Sequence, residues 1–310
     1  MATRAAAANE AYVCTKAYVS QPGRTVTPLD LADGQADPLL ITGSLPSSVA
    51  GTPNGRLVLV TNQGANTLSV IDTGSDSQVA KVATGLEPDA VAVSPDGTWA
   101  VVANLDDDTV TPVNLHTLQA ARPIHVGHHP DAVAIGGSHG RTAVVADAGD
   151  GTVTMVDLSS MSAGRALGVG PGPVAIGIDR ASRTAVVADF GDGTVRALDM
   201  TKSVVGPAVA VGVGPTAIAV ASGAGAGRGV AWVSVGSSLV GVDLSTMTVS
   251  ARWDVHHEAE AVALTTGGRV AWVAGQDGTV TSVDVTTGRT SHTIVVGGRP
   301  SAIAIPPRRI

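Results

Sequence analysis

Residues 88–118, PDAVAVSPDGTWAVVANLDDDTVTPVNLHTL, decide the fold of this chain. Their apolar runs are four to six residues long, are rich in Val, Ala and Thr, and are separated by turn residues such as Asp-Gly. Runs of this kind predict short strands joined by hairpins. A fourth run, residues 119–126, ends at Gly127, so one period of the sequence predicts a four-stranded antiparallel unit.

The first segment of this unit, P-x-A-V/I-A-V/I, recurs seven times at a spacing of about 42 residues. The clear copies are residues 88–93, 130–135, 173–178, 215–220 and 300–305, and the degenerate copies are residues 46–51 and 259–264. Four-stranded units at this period are typical of propeller blades, and no segment combines helical length with helical period. The sequence therefore predicts an all-β fold, a seven-bladed β-propeller of four-stranded antiparallel blades.

The two ends of the chain predict how the ring closes. Residues 16–21, 24–31 and 36–42 are predicted strands without an inner partner, and residues 300–305 are a lone inner-type strand. We expect the C-terminal strand to join the N-terminal blade, which removes the free sheet edges of an open array. The predicted organisation is an N-terminal tail over residues 1–15 and a single propeller over residues 16–310.

Composition excludes several classes of function. The net charge of −7 comes without a basic run, and aromatic residues make up 2%, so we expect no nucleic-acid partner. No apolar stretch reaches the length of about 18 residues that a membrane span needs, so we expect no membrane insertion. The start, MATRAAAANE, lacks a strongly apolar segment, which indicates a cytoplasmic protein and leaves secretion open if a signal peptide has been removed.

Two segments resemble the YVTN family of seven-bladed propeller repeats. They are residues 90–117, AVAVSPDGTWAVVANLDDDTVTPVNLHT, and residues 58–79, VLVTNQGANTLSVIDTGSDSQV, and the resemblance covers roughly residues 16–305. Relatives of this repeat include surface-layer proteins, accessory proteins of redox enzymes, and propellers that resemble lactonases and streptogramin lyases. The resemblance therefore implies the fold and leaves the function open.

The residue after each Pro begins an innermost strand and is expected to face the axial channel. Around the ring these positions hold Ser48, Asp89, Asp131, Val174, Thr216, Glu260 and Ser301. Three of the seven are acidic, so the sequence predicts a polar channel mouth.

Further polar residues lie in the connections that lead into these strands. They are Glu87, His128, His129, His256, His257 and Glu258, with Arg299 before the last inner strand. The two His pairs are three steps apart on a seven-membered ring, so we expect them to face each other across the mouth. The connection VHHEAE departs most from the usual Gly-x-x-Pro turn, which indicates that local function overrides local stability there. The alternative is that these are solvated turn residues.

Imidazoles beside carboxylates in a partly desolvated funnel are typical of acid–base sites. The catalytic candidates are His257, Glu258, Glu260, His129, Asp131 and Glu87. The substrate-binding candidates are Asp89, His128, His256, Arg299 and Phe190, the last being the single Phe of the chain. No cofactor is indicated, and a divalent metal stays an alternative: mixed His and carboxylate ligands suit Zn²⁺ or Mn²⁺, and the acidic ring alone suits Ca²⁺ or Mg²⁺.

The resemblance to streptogramin lyases implies a more specific arrangement. In those propellers a Glu and His pair in these connections acts with Mg²⁺ as base and acid in an elimination. Glu87 matches the position of the Glu, whereas Asp89 stands where that family has His. The nearest substitutes, His257 and Glu260, lie on a different blade.

Two classes of function remain. The first is an enzyme that uses acid–base residues at the channel mouth on a small organic molecule, as a lyase, cyclase or lactone hydrolase would. The second is a non-catalytic YVTN propeller scaffold whose rim binds a protein or peptide partner. The single-domain organisation favours the enzyme.

Overall fold

The computed structural model describes residues 25–31, 36, 38–137, 140–179, 183–221 and 229–305, together with the backbone of residues 10–16 and 35. Within these residues the fold is all-β, with one short 3₁₀ turn at Gln63–Ala65. Residues 1–9 of the predicted tail, and most of the strand predicted at residues 16–21, lie outside the described residues. No helix in the described part of the chain is long and apolar enough to cross a membrane.

Six blades are each built from consecutive antiparallel strands that run from the axis to the rim. The strands that precede them are β1 (Glu10–Lys16), β2 (Thr25–Asp30), β3 (Gln35–Ala36) and β4 (Leu40–Ile41). Blade 1 comprises β5 (Pro46–Gly51), β6 (Leu57–Asn62), β7 (Thr67–Asp72) and β8 (Ser77–Ala83). Blade 2 comprises β9 (Pro88–Val93), β10 (Trp99–Asn104), β11 (Thr109–Asn114) and the outer pieces β12 (Gln119–Ala120) and β13 (Ile124–His125).

The remaining blades follow the same order along the chain. Blade 3 comprises β14 (Pro130–Gly136), β15 (Thr142–Asp147), β16 (Thr152–Asp157), β17 (Ser162–Ala163) and β18 (Leu167–Gly168). Blade 4 comprises β19 (Pro173–Asp179), β20 (Thr184–Asp189), β21 (Thr194–Asp199) and β22 (Val204–Ala210). Blade 5 comprises β23 (Pro215–Val220), β24 (Val230–Val235), β25 (Ser238–Asp243) and β26 (Thr248–Asp254). Blade 6 comprises β27 (Ala259–Leu264), β28 (Val270–Gly275), β29 (Thr279–Asp284) and β30 (Thr290–Val295), and β31 (Arg299–Ala304) ends the series.

A closing sheet joins the two ends of the described chain. Its order is β31, β1, β2 and β3, with β4 also paired to β2. Tyr12 pairs with Ala304 and Val13 with Ile303, which confirms that the C-terminal strand completes an N-terminal sheet. The inner strands β5, β9, β14, β19, β23, β27 and β31 contact one another in that order, and β31 contacts β5, so the ring is closed.

The prediction of seven four-stranded blades is wrong. The structure has six blades of consecutive strands, and the closing sheet between blades 6 and 1 is assembled from both chain ends. The repeat count misleads because each P-x-A-V copy marks an inner strand, and the copy on β31 is followed by no further strands of its own. The first strand is also displaced, since β1 begins at Glu10 and the sequence predicts it at residue 16.

Neighbouring sheets pack face to face, and the core lies between them. Leu59 and Leu68 of blade 1, for example, share a cluster with Val102 and Val113 of blade 2, and all four are fully buried. Burial of each such side chain contributes about 1.5–3 kcal/mol. Near the axis the inner strands approach closely: a Cβ on Gly136 would lie 2.7 Å from Cγ2 of Ile178, so glycine is needed there.

Candidate functional site

A cavity of about 490 Å³ opens where the inner strands begin. Its wall includes the first residues of every inner strand in the ring, and it includes one side chain from elsewhere, Phe190 in the loop between β20 and β21. The residues that follow the Pro positions all line it: Ser48, Asp89, Asp131, Val174, Thr216, Glu260 and Ser301. The prediction that these positions face the channel is confirmed.

Two carboxylates lie on one side of the cavity. Asp89 is on β9 and Asp131 is on the neighbouring inner strand β14, and both are half-buried. The side-chain amide of Gln63 donates from Nε2 to Oδ1 of Asp89 at 3.2 Å. This side of the cavity is therefore suited to hydrogen-bond donors or a positively charged group of a ligand.

An ion pair lies on the opposite side of the ring. Arg299 on β31 donates from Nη2 to Oε1 of Glu260 on β27 at 3.0 Å, and both side chains are partly buried. Strand β27 is three inner strands away from β9 in one direction and three from β14 in the other. The three carboxylates and one guanidinium of the wall give the cavity an acidic balance with one localised positive group.

The hydroxyl groups of the wall connect neighbouring inner strands. Ser301 donates to the carbonyl of Ser47 at 2.8 Å, and Ser47 donates to the carbonyl of Pro88 at 3.0 Å. Thr216 donates to the carbonyl of Ala259 at 2.8 Å. These hydroxyls brace the ring, so the charged side chains remain as the groups suited to chemistry.

The histidines of residues 128 and 129 do not line the cavity. His128 is exposed, and its Nδ1 lies 2.8 Å from Oδ2 of Asp108, a hydrogen bond that raises the pKa of His128. His129 is exposed and has a left-handed backbone with φ of 50°, and its N–H donates to Oδ1 of Asp108 at 2.9 Å. Asp108 therefore stabilises this turn, which lies on the rim.

Glu87 occupies the same turn position in the preceding blade connection. Its φ is 47°, its side chain is exposed, and its N–H donates to Oδ1 of Asn66 at 3.0 Å. Leu45 has the same conformation, with φ of 51°. The residue before the Pro is thus directed by a recurring left-handed turn, and the structure places Glu87 outside the cavity wall.

The connection VHHEAE brings only Glu260 into the cavity wall. His256 and Glu258 are exposed, and His256 has φ of 64°. His257 packs against Gly275, because a Cβ at Gly275 would collide with Nδ1 and Cγ of the imidazole. Both ring nitrogens of His257 are buried, and neither has a hydrogen-bond partner among the described residues.

A comparison with blades 1 to 3 gives the physical reason for this arrangement. There a buried side chain at the end of the second strand accepts the N–H of the connection's Gly, as Asn62 does from Gly43 at 2.8 Å and Asn104 does from Gly85 at 3.1 Å. Blade 6 has Gly275 in that position, and the imidazole of His257 fills the vacated space. The break in the repeat at VHHEAE is therefore accompanied by packing of His257 on Gly275.

Two aspartates outside the predicted candidate site, Asp147 and Asp189, end the second strands of blades 3 and 4 and are fully buried. Burial raises the pKa of each to about 6. Asp147 accepts the N–H of Gly127 at 3.1 Å and the hydroxyl of Thr154 at 2.7 Å. The signal was present in the sequence as Asn or Asp at the last position of four successive second strands.

The described residues do not fit the Mg²⁺ that the streptogramin-lyase resemblance implies. Among them, no three His, Cys, Asp or Glu side chains converge as metal ligands. Glu87, which matches that family's Glu, lies on the rim and outside the cavity wall. We therefore derive no step through a metal ion.

Comparisons with known proteins support the fold. No protein-family model and no curated protein sequence matches this chain. Among solved structures, it is similar to "Kuenenia stuttgartiensis Hydrazine Synthase", with a TM-score of 0.75, 18% identity, and coverage of 84% of this chain and 89% of that chain. It is also similar to "Dihydro-heme d1 dehydrogenase NirN in complex with DHE", with a TM-score of 0.67, 14% identity, and coverage of 96% and 75%. At these identities the likeness shows a β-propeller fold, and the YVTN relationship stays a resemblance.

Proposed function

We propose that this propeller binds a small organic molecule in its axial cavity and catalyses proton transfer on it. The observation that carries the proposal is the hydrogen-bonded pair of Arg299 and Glu260, 3.0 Å apart, in the wall of the cavity. A carboxylate and a guanidinium held together at a partly buried surface supply a proton acceptor and a fixed positive charge at one point.

Glu260 is the general base in this account. Its carboxylate removes a proton from a carbon next to a carbonyl group, or from a water molecule that attacks a lactone. Arg299 stabilises the negative charge that develops on the ligand's oxygen, because its guanidinium carries N–H donors in a fixed planar array. Lyase, cyclase and lactone hydrolase reactions all contain such a step.

The other charged groups hold the ligand. Asp89 and Asp131 face Glu260 across the ring and accept hydrogen bonds from the ligand's polar end. Phe190 supplies an apolar contact at the mouth. The rim residues Glu87, His128, His129, His256 and Glu258 have no role in the chemistry of this account, and His257 supports the wall by packing.

An assay that does not require knowledge of the natural substrate tests the proposal. We would incubate the protein in D₂O with a panel of small ketones, lactones and carboxylic acids and detect loss of α-proton signals by NMR. We expect exchange or turnover of at least one compound, lost in Glu260→Gln. Glu258→Gln is the matched control, because Glu258 lies two residues away and is exposed. A panel member turned over equally by the wild type and Glu260→Gln would contradict the assignment.

Binding of a protein or peptide at the rim is the second candidate, and one observation favours it. Apolar side chains are exposed in the connections that lead into β9 and β23, with Leu86 50% and Val213 93% exposed. A peptide-display selection tests it against the wild type and Leu86→Asp/Val213→Asp. Peptides that bind only the wild type would favour the scaffold function, and equal binding to both proteins would remove it.

A further inference from the structure

Phe190 differs from every other residue of the cavity wall. The rest of the described wall comes from inner strands, whereas Phe190 belongs to the hairpin loop between β20 and β21. Phe190 is the single Phe of the chain, and 53% of its surface is exposed. An aromatic ring that borders a cavity and stays half in solvent is suited to contact a ligand.

Blade 3 contains a near-copy of this hairpin. Residues 142–154 read TAVVADAGDGTVT and residues 184–196 read TAVVADFGDGTVR, so the two segments differ at two positions only. Ala148 corresponds to Phe190, and Thr154 corresponds to Arg196. Blade 3 therefore shows what the hairpin does without these two side chains, and Ala148 does not line the cavity.

The two substituted residues lie at the ends of one hydrogen-bonded network. Arg196 donates from Nη1 to Oδ2 of Asp189 at 2.5 Å, and from Nη2 to Oδ2 of Asp192 at 3.2 Å. Asp189 directly precedes Phe190 and is fully buried. The guanidinium thus ties the residue before Phe190 to the residue two positions after it.

Blade 4 lacks a hydrogen bond that blade 3 keeps, at the carboxylate oxygen that the guanidinium does not contact. Asp147 accepts the N–H of Gly127, whereas Oδ1 of Asp189 has no partner among the described residues and Gly170 donates instead to the carbonyl of Gly151 at 3.3 Å. A Cβ on Gly170 would lie 2.5 Å from Nη1 of Arg196, so the guanidinium lies directly beneath this connection. Arg196 is therefore the partner that fixes the buried carboxylate in blade 4.

The Phe190 loop rests on two connections. Phe190 N–H donates to the carbonyl of Gly172 at 2.9 Å and Gly191 N–H to that of Pro171 at 3.0 Å. The ring covers Gly214, where a Cβ would lie 3.2 Å from Cε2 of Phe190. Gly170, which lies against the guanidinium, and Gly172, which accepts the N–H of Phe190, belong to the same short connection.

We propose that Arg196 is a positioning residue that holds Phe190 as the aromatic wall of the cavity, and that this wall selects ligands with a planar apolar group. The inference rests on the proposed binding function. Val174 and Ile176 on β19 and Ile218 on β23 line the cavity with Phe190, whose ring lies against Gly214 just before β23, and the acidic side chains lie on β9, β14 and β27. The ligand class is a small molecule with an apolar ring at one end and a polar or cationic group at the other.

The single Phe makes the test direct. Incorporation of 4-fluorophenylalanine gives one ¹⁹F resonance, that of residue 190. Arg196→Thr, which copies blade 3, is expected to move this resonance to the position of a solvent-exposed ring, and Arg196→Lys is expected to restore it in part. The double variant Asp189→Asn/Arg196→Thr copies the hydrogen-bonded Asn104 and Thr111 pair of blade 2. It replaces Arg196→Thr in this measurement if the single variant does not fold.

Probe binding is measured on the same proteins with benzylammonium and n-butylammonium chloride. We expect Phe190→Ala and Arg196→Thr each to weaken benzylammonium binding roughly threefold to tenfold and to weaken n-butylammonium binding less, because the alkyl chain has no ring to stack on Phe190. An unchanged resonance in folded Arg196→Thr would overturn the positioning role, and equal affinities of Phe190→Ala and wild type for benzylammonium would overturn the aromatic wall. These outcomes are distinct from failure of the proposed function. That function fails if the wild type catalyses no proton exchange with any compound of the panel.

Discussion

Nη2 of Arg299 lies 3.0 Å from Oε1 of Glu260, and the two residues come from neighbouring inner strands, neither of which adjoins β9 or β14 in the ring. Arg299 belongs to β31, the strand that closes the propeller by pairing with β1.

Removal of the Arg299 guanidinium tests whether it stabilises the negative charge that develops on the ligand. We expect Arg299→Met to lower the proton-exchange rate about 100-fold or more, the usual effect of losing a donor to a developing negative charge. Arg269→Met is the control, because Arg269 forms a comparable but exposed pair with Asp284 at 3.1 Å. Equal losses in the two variants would show that the effect is general and would contradict the role of Arg299.

The buried carboxylate of Asp147 predicts a pH dependence of stability. Burial raises its pKa to about 6, above the unfolded value near 3.8. The native state therefore binds more protons than the unfolded state between these two values, and stability falls as the pH rises through them. We expect Asp147→Asn, which places in blade 3 the residue type found at Asn62 and Asn104, to stabilise the protein at pH 8 by about 1–3 kcal/mol.

Urea unfolding at pH 4 and pH 8 measures this effect. The gain in Asp147→Asn should be smaller at pH 4, where the aspartate is protonated in the native state. Asp106→Asn, an exposed change of the same type, should leave the pH dependence as it is in the wild type. A gain in Asp147→Asn that is equal at both pH values would contradict the assignment.

The packing of His257 on Gly275 predicts thermodynamic coupling. Gly275→Ala should destabilise the wild type because the new Cβ meets the imidazole, and it should cost less in His257→Ala, where only the contact with Oδ1 of Asp277 remains. We expect a coupling free energy of about 1–3 kcal/mol from a double-mutant cycle of unfolding. Additive effects would show that the imidazole does not occupy this space.

The ion pair on the rim predicts a shift that NMR can follow. The hydrogen bond from Asp108 raises the pKa of His128, so Asp108→Asn should lower the pKa of that imidazole toward its ordinary value. A ¹H–¹⁵N titration of the histidine side chains reports this directly. An unaltered pKa of His128 in Asp108→Asn would contradict the contact.

Much of the cavity could be predicted from the sequence because it depends on register. The residue after each Pro begins an inner strand, and the period of the repeat places Asp89, Asp131 and Glu260 at equivalent points of the ring. The sequence also predicts Arg299 and Phe190 as site residues. Arg299 directly precedes the last inner strand motif, and Phe190 is the single Phe of the chain. Local pattern is sufficient when one strand position always faces the same way.

The rest depends on contacts that no local pattern contains. His129 and Glu87 precede a Pro, yet a left-handed turn held by an Asx side chain of another loop directs them to the rim. His257 compensates for Gly275, which is 18 residues further along the chain. The blade count failed for a related reason, because an inner-strand motif does not reveal whether outer strands follow it.

The proton-exchange rate of Glu260→Gln relative to Glu258→Gln tests the central claim most directly. Both variants make the same chemical change in one connection, and only Glu260 lines the cavity. We predict that Glu258→Gln stays within about twofold of the wild type and that Glu260→Gln loses activity by about 100-fold or more. A Glu260→Gln protein that is folded and as active as the wild type would contradict the claim that the axial cavity carries the chemistry.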